Sequence, residues 1–151
     1  MKHADKSGAA CLKLPAALES LEPFQDFVRG QIRDCGCPQE MQFKIQLALE
    51  EALVNIIHYA YPPESKGWIE LACMLEHNRL KVEIRDGGYP FNPFEREKPD
   101  TTATLEERQI GGLGIFLIRQ MAEQSDYRRD NDMNILTMVF RLDAPLASCQ
   151  V

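Results

Sequence analysis

The sequence predicts an α+β domain, a largely antiparallel sheet with helices packed on one of its faces. Three observations carry this expectation. Residues 39–60 place Phe43, Ile45, Leu47, Leu49, Leu53, Val54, Ile56 and Ile57 on nearly every side of a helix, the pattern of a long and mostly buried element. Trp68 to Leu75 and Leu80 to Arg85 alternate apolar and polar residues around a turn at Glu76-His77-Asn78-Arg79, as a hairpin with one buried face requires. Two further strands are expected near Ser125–Arg129 and Asn134–Leu142, turning at Asp130-Asn131-Asp132.

In chain order, residues 1–8 read as a flexible terminus. Ala9 to Leu14 is a short apolar run ending at Pro15, which suits a first strand. Ser20 stands where it would cap a helix carrying Phe24, Phe27, Val28 and Ile32, and Gly36 would end it. Pro38 fits the first turn of the next helix, where its missing N–H would have no partner anyway. That helix runs from about Gln39 to Ala60 and stops at Tyr61-Pro62-Pro63. Tyr89 to Gln109 has three prolines, several charges and Thr101-Thr102-Ala103-Thr104. Roughly twenty residues without a clear element read as a functional lid or a disordered loop. After Gly114, the residues Ile115, Phe116, Leu117, Ile118, Met121 and Ala122 give a third helix. From Asp143 the chain reads as a flexible tail. One domain, residues 9–142, accounts for the rest.

The composition narrows the function. With 151 residues, 44% hydrophobic and 26% charged, the chain can bury one substantial core and is not a disordered polymer. Its net charge is −6, and no Lys/Arg cluster is denser than Tyr127-Arg128-Arg129, which argues against a nucleic-acid-binding face. The five cysteines are odd in number, and Cys35-Gly36-Cys37 is too tight for a zinc knuckle, so reduced thiols are expected. Met1 to Asp5 lacks an apolar signal core, and no run approaches the ~20 apolar residues that span a bilayer. The expectation is a cytoplasmic protein without a membrane partner.

Three motifs carry chemistry. Glu51, Asn55 and His58 are spaced four and three residues apart, so they share a stripe on the long helix. An amide oxygen such as that of Asn55 can ligate Mg²⁺, and a carboxylate one turn away, Glu51, can deprotonate an attacking hydroxyl or water. His58 is expected as a hydrogen-bonded, half-buried neighbour of the site. Asp86-Gly87-Gly88 ends a strand. It is either an ordinary turn or a carboxylate that accepts from an adenine amine while Gly88 lets the backbone approach and Phe91 floors the base pocket. Gly111-Gly112-Leu113-Gly114 opens into a helix whose free N–H groups could cradle phosphate, or it serves as a hinge. It lacks the Lys-Ser/Thr of a phosphate-binding loop, and it does not follow a strand as a dinucleotide fingerprint would. In this order the three motifs describe one site, and the nucleotide they point to is ATP.

Glu51-x-x-x-Asn55, Asp86-x-Gly88 and Gly111-Gly112-x-Gly114 together resemble the asparagine box and the two glycine boxes of the GHKL ATPase superfamily. The segments 49–63, 86–93 and 111–118 resemble, within it, the anti-sigma-factor serine/threonine kinases, and the similarity runs from about Ala9 to Leu142. The resemblance implies an α/β sandwich of the histidine-kinase-like type, with ATP and Mg²⁺ beneath a mobile lid. It gives Asn55 to the metal, Asp86 to the adenine amine, and Gly112 and Gly114, beside Gly111, to the phosphates. Glu51 becomes the general base for a serine on an anti-anti-sigma (STAS-like) partner, a sigma factor becomes the regulated protein, and a homodimer is expected. Thr137, in Asn134-Ile135-Leu136-Thr137, falls where the last strand of that family borders the nucleotide. Pro90-Phe91 departs from the further glycine and aliphatic residue that many of these kinases carry. A nucleotide-controlled binding module and a slow ATP hydrolase are the other readings of the same residues.

Overall fold

The computed structural model describes residues 2–4, 8–95 and 113–143. Strands β1 (Lys2–Ala4) and β2 (Ala10–Pro15) precede helices α1 (Leu21–Ile32) and α2 (Gln39–Tyr59). Strands β3 (Trp68–Glu76) and β4 (Arg79–Asp86), helix α3 (Leu113–Met121), and strands β5 (Gln124–Asp130) and β6 (Met133–Arg141) follow. Among the described residues the strands form one sheet in the order β1-β2-β3-β4-β6-β5, with every pairing antiparallel. The expected α+β class is the observed one.

Both hairpins turn on two residues in the left-handed region: His77 and Asn78 at φ 50° and 64°, Asn131 and Asp132 at φ 49° and 61°. Two positive-φ residues give the turn whose twist matches that of the flanking strands, and Asn and Asp tolerate the conformation better than bulkier side chains. These turns set the register, and the register sets the core. On the helix-facing side, Cys73–Val82–Met138 and Leu71–Ile84–Leu136 lie in successive rows across β3, β4 and β6. Phe24, Phe27 and Val28 of α1 and Ile45, Leu49 and Leu53 of α2 pack into the same core. Fully burying one such Leu or Ile is worth about 1.5–3 kcal/mol over leaving it in water.

Three local expectations are corrected. Lys2–Ala4, assigned to a flexible terminus, pairs with Ala10–Leu12 as an edge strand. The apolar run of β2 was visible from Ala9, but the three residues of β1 are too few to show a period. Ser20 does not cap α1: a 3-10 turn at Leu18–Ser20 already holds it at helical angles, and its hydroxyl donates 2.7 Å back to the Pro15 carbonyl. Nor is α2 buried all round. Phe43 is 63% exposed, and the fully covered positions are Ile45, Ala48, Leu49, Ala52 and Leu53, one broad face.

Candidate nucleotide site

The row beyond Leu71–Ile84–Leu136 on the helix-facing side reads Ile69–Asp86–Asn134–Arg129. Side chains in a strand alternate faces, so Asp86 and Asn134 point the same way as the core residues before them. The sheet therefore turns polar at one end, under the C-terminal half of α2. A cleft opens there, with walls from Ala52 and Ile56 of α2, Ala60 just past its end, Ile115 of α3 and Leu136 of β6. Phe91 and Pro93 come in from the loop after β4, and the polar groups at the edge are Asn55, Asp86, Tyr127 and Asn134. Counting its open mouth, the cleft holds about 410 Å³. Apolar walls with a few converging polar groups suit a flat base with polar edges.

Asp86 is 3% exposed. Its Oδ1 accepts from the Gly88 backbone N–H and from Asn134 Nδ2, each at 2.9 Å. Among the described residues no donor reaches Oδ2, so one oxygen is open to a ligand on the cleft side. Burial pushes the carboxyl above the ordinary aspartate range, while the bonds from Asn134 and Gly88 and the charge of Arg129 pull it back.

The two glycines after Asp86 hold the loop against α2. A Cβ on Gly88 would overlap the carbonyl of Ala60, and the next N–H, that of Tyr89, donates 2.8 Å to that same oxygen. The close approach that Gly88 permits is thus to the end of α2 rather than to a base. The Gly87 N–H donates 2.7 Å to the Tyr61 hydroxyl, which in turn donates 2.6 Å to the Trp68 carbonyl. Tyr61, read in the sequence only as part of a helix stop, ties the loop to the start of β3.

Asn55 lines the cleft as expected. Glu51 lies one turn earlier on α2, half-buried and outside the cleft lining. Burial first, and the neighbouring Glu50 charge second, raise its carboxyl above the ordinary range. His58 does not take the half-buried place expected of it. It is exposed, with its ring 6.2 Å from that of Tyr59. Three residues past Asn55 a helical side chain has swung ~60° away from the Ala52–Ile56 side.

Thr137 is also corrected. It lies opposite Glu83 and Asp126 on the far face of the sheet, beside a shallow groove with Gln124 and Val139. The residue of its motif that enters the cleft is Asn134, three positions away and of opposite parity. Gly111 and Gly112 lie outside the described residues, as does the segment 96–112 that holds most of the expected lid with its cations Arg96, Lys98 and Arg108. Gly114 is the second residue of α3, in the turn whose N–H groups have no intrahelical acceptor.

The pattern of the histidine kinase-like ATPase domain matches residues 14–140. The chain belongs to that family. An ATPase domain implies ATP binding. Among curated relatives, the serine/threonine-protein kinase BtrW of Bordetella bronchiseptica is 29% identical over 98 residues, covering 65% of this chain and 69% of its own. The serine-protein kinase RsbW of Listeria monocytogenes is 26% identical over 129 residues, covering 83% and 82%.

Among solved structures, the RsbU and RsbW domains of a Mycobacterium tuberculosis protein superpose with a TM-score of 0.61 at 16% identity. That match covers 89% of this chain, which spans about a third (33%) of the longer one. A histidine kinase domain from Erythrobacter litoralis gives 0.51 at 20% identity over 85% of this chain. At these identities the two structures speak for the fold alone. Among the described residues no helix is long and apolar enough to cross a membrane.

Proposed function

We propose that this chain is an ATP-dependent serine/threonine protein kinase of the anti-sigma-factor type. It phosphorylates a serine of an anti-anti-sigma (STAS-like) partner and thereby sets how much sigma factor is free. The observation that carries the reading is the placement of Asn55 and Asp86 at one cleft with Glu51 a single turn from Asn55 on α2. The names of the relatives, serine-protein kinases, support the choice of acceptor.

In this reading the Asp86 carboxylate accepts from the adenine amine, and the apolar walls cover the ring. The first turn of α3, with Gly111, Gly112 and Gly114, holds the phosphates at the positive end of the helix. Asn55 would hold Mg²⁺, which needs few protein oxygens when phosphates and waters complete its shell. The metal would neutralise charge on the β- and γ-phosphates. Glu51 takes the proton from the partner's serine as the serine oxygen bonds to the γ-phosphorus and the bond to ADP breaks. Its raised pKa brings it nearer the value a base needs at neutral pH. The protein is read as cytoplasmic, as a possible homodimer, and as having no nucleic-acid partner.

That Glu51 lies outside the cleft lining favours a second reading, in which nucleotide binding controls protein association with little or no transfer. Incubation with γ-labelled ATP, Mg²⁺ and candidate anti-anti-sigma proteins separates the two. The kinase reading expects label on a partner serine, reduced by roughly 10²–10⁴-fold in Glu51→Ala, with ATP affinity held within about threefold. Tight ATP binding with no label on any partner would replace it with the second reading.

A further inference from the structure

Asn134 is buried at 5% exposure and uses both ends of its amide. Oδ1 accepts from the Tyr127 hydroxyl at 2.6 Å, the Phe91 N–H at 3.2 Å and Arg129 Nη1 at 3.2 Å. Nδ2 donates to Asp86 Oδ1 at 2.9 Å and to the Tyr89 carbonyl at 2.7 Å. Three donors meet one end and two acceptors meet the other, so the amide has a single satisfactory orientation. Flipping it would set N–H against N–H and oxygen against carboxylate. No other side chain of this size offers an acceptor and a two-proton donor at that fork.

The consequence falls on Asp86. With Oδ1 held by Gly88 and Asn134, Oδ2 is the oxygen of Asp86 that no donor among the described residues reaches. The same amide pins Tyr89 and Phe91, and Phe91 is part of the cleft wall. The oxygen that meets a base edge and the loop that covers the base are thus set by one side chain.

The geometry points to Asn134 as a specificity-determining positioning residue: it aims a pure acceptor, Asp86 Oδ2, at the 6-position of a purine and so selects a 6-amino over a 6-oxo base. Tyr127 and Arg129 act one step behind it by fixing the direction of the amide. This rests on the nucleotide reading above and adds the residue that decides which nucleotide is taken.

The test compares ATP with inosine triphosphate, which differs in carrying a 6-oxo group where ATP has the 6-amino. Dissociation constants for both are measured by calorimetry on the full chain, for wild type, Asn134→Asp and Tyr127→Phe, beside unfolding midpoints. Asn134→Asp keeps an acceptor for Tyr127, Phe91 and Arg129 but removes both donated bonds. Wild type should prefer ATP by about tenfold or more. Asn134→Asp should bring the ratio to within about threefold of unity. Tyr127→Phe, which removes only one of three bonds to Oδ1, should keep the fold and lower the ratio by a few-fold.

If wild type binds ATP selectively and Asn134→Asp keeps that selectivity, the positioning role is overturned and the nucleotide site stands. Equal weakening of both nucleotides in both variants, at an unchanged ratio, overturns it too, because that is what loss of structure alone would give. If wild type binds neither nucleotide, the nucleotide reading itself fails, and the inference with it.

Discussion

Asp86→Asn separates the stability of this fold from its proposed function, because the substitution changes charge and one donor while keeping shape. At Oδ1 an amide oxygen can still accept from Gly88 and Asn134, both at 2.9 Å in the wild type. The new NH₂ then replaces Oδ2 and faces the cleft. Two effects on stability oppose each other. Relief of a buried charge stabilises the variant, since burial is the first cause of the raised Asp86 pKa. Weaker neutral hydrogen bonds and the lost attraction of Arg129 destabilise it. Hydrogen bonds to charged groups are worth about 1.5–3 kcal/mol and neutral ones about 0.5–1.5. The expected net change in unfolding free energy is within about 1 kcal/mol of zero.

Binding should respond quite differently. The variant sets a donor against the adenine amine, itself a donor, so the loss falls in the upper part of the range for a charged bond. That is about 2–3 kcal/mol, or roughly 30- to 150-fold in the ATP dissociation constant.

The pH dependence supplies a second check. A carboxyl whose folded pKa lies above its unfolded value binds its proton more readily in the folded state. Its contribution to stability is then complete below the unfolded pKa and is lost as pH rises through the folded one. Wild-type stability should show that decline just above the ordinary aspartate range, and Asp86→Asn should not. ATP affinity in the wild type should rise across the same window as the acceptor ionises, with Arg129 and Tyr61 the other ionisable groups acting on Asp86. Urea unfolding and calorimetry across that range measure both quantities. An Asp86→Asn variant that binds ATP as tightly as wild type would refute the assignment of Asp86 to the base. A loss of stability beyond about 2 kcal/mol, matched by the loss of binding, would show that the carboxylate serves the fold instead.

Two further substitutions probe how the loop after β4 is held. Gly88→Ala forces a methyl group against the Ala60 carbonyl and displaces the Tyr89 N–H bond to it. It should cost about 1–3 kcal/mol or more by urea midpoint and weaken ATP binding, whereas unchanged stability would mean the loop does not rest on α2. Tyr61→Phe removes the hydroxyl between the Trp68 carbonyl and the Gly87 N–H. It should cost about 1–3 kcal/mol but leave ATP affinity within about fivefold, since Asp86 keeps both its donors.

The sequence revealed most of the fold because the signals were periodic and local. The alternation at 68–75 and 80–85 and the turn residues at His77-Asn78 and Asn131-Asp132 are the features that set the strands and the two-residue turns. Lys2–Ala4 was hidden because an edge strand of three residues takes its stability from Ala10–Leu12 rather than from its own pattern. Ser20 misled because a hydroxyl can donate as well as accept: here it donates to the Pro15 carbonyl, and its backbone already sits at helical angles rather than in a capping conformation.

Of the residues that line the cleft, the motifs brought out Asn55, Asp86 and Phe91, whereas Asn134 was passed over for Thr137. A signal for it did exist. Asn134, Leu136, Met138 and Phe140 share one parity, so Asn134 is the polar member of an otherwise core-facing set. What parity could not supply is the partner, since Tyr127, Arg129 and Asp86 reach Asn134 only through two strand pairings.

Those pairings also explain why the site is where it is. Across β3, β4 and β6 the helix-facing rows Cys73–Val82–Met138 and Leu71–Ile84–Leu136 are apolar, and at Ile69–Asp86–Asn134 the packing that holds α2 gives way to hydrogen bonds. A buried carboxylate weakens a fold unless donors meet it, and among the described residues two donors meet one oxygen of Asp86 and none the other. The other oxygen is a cost that the apolar rows beside it can carry and that a ligand amine would remove. Glu51 is held differently, on the α2 surface beyond the cleft, by nothing that the base pocket requires. On the proposed reading, nucleotide selection and phosphoryl transfer rest on separate side chains. A variant of Asp86 or Asn134 should change which nucleotide binds, whereas a variant of Glu51 should change only what becomes of it.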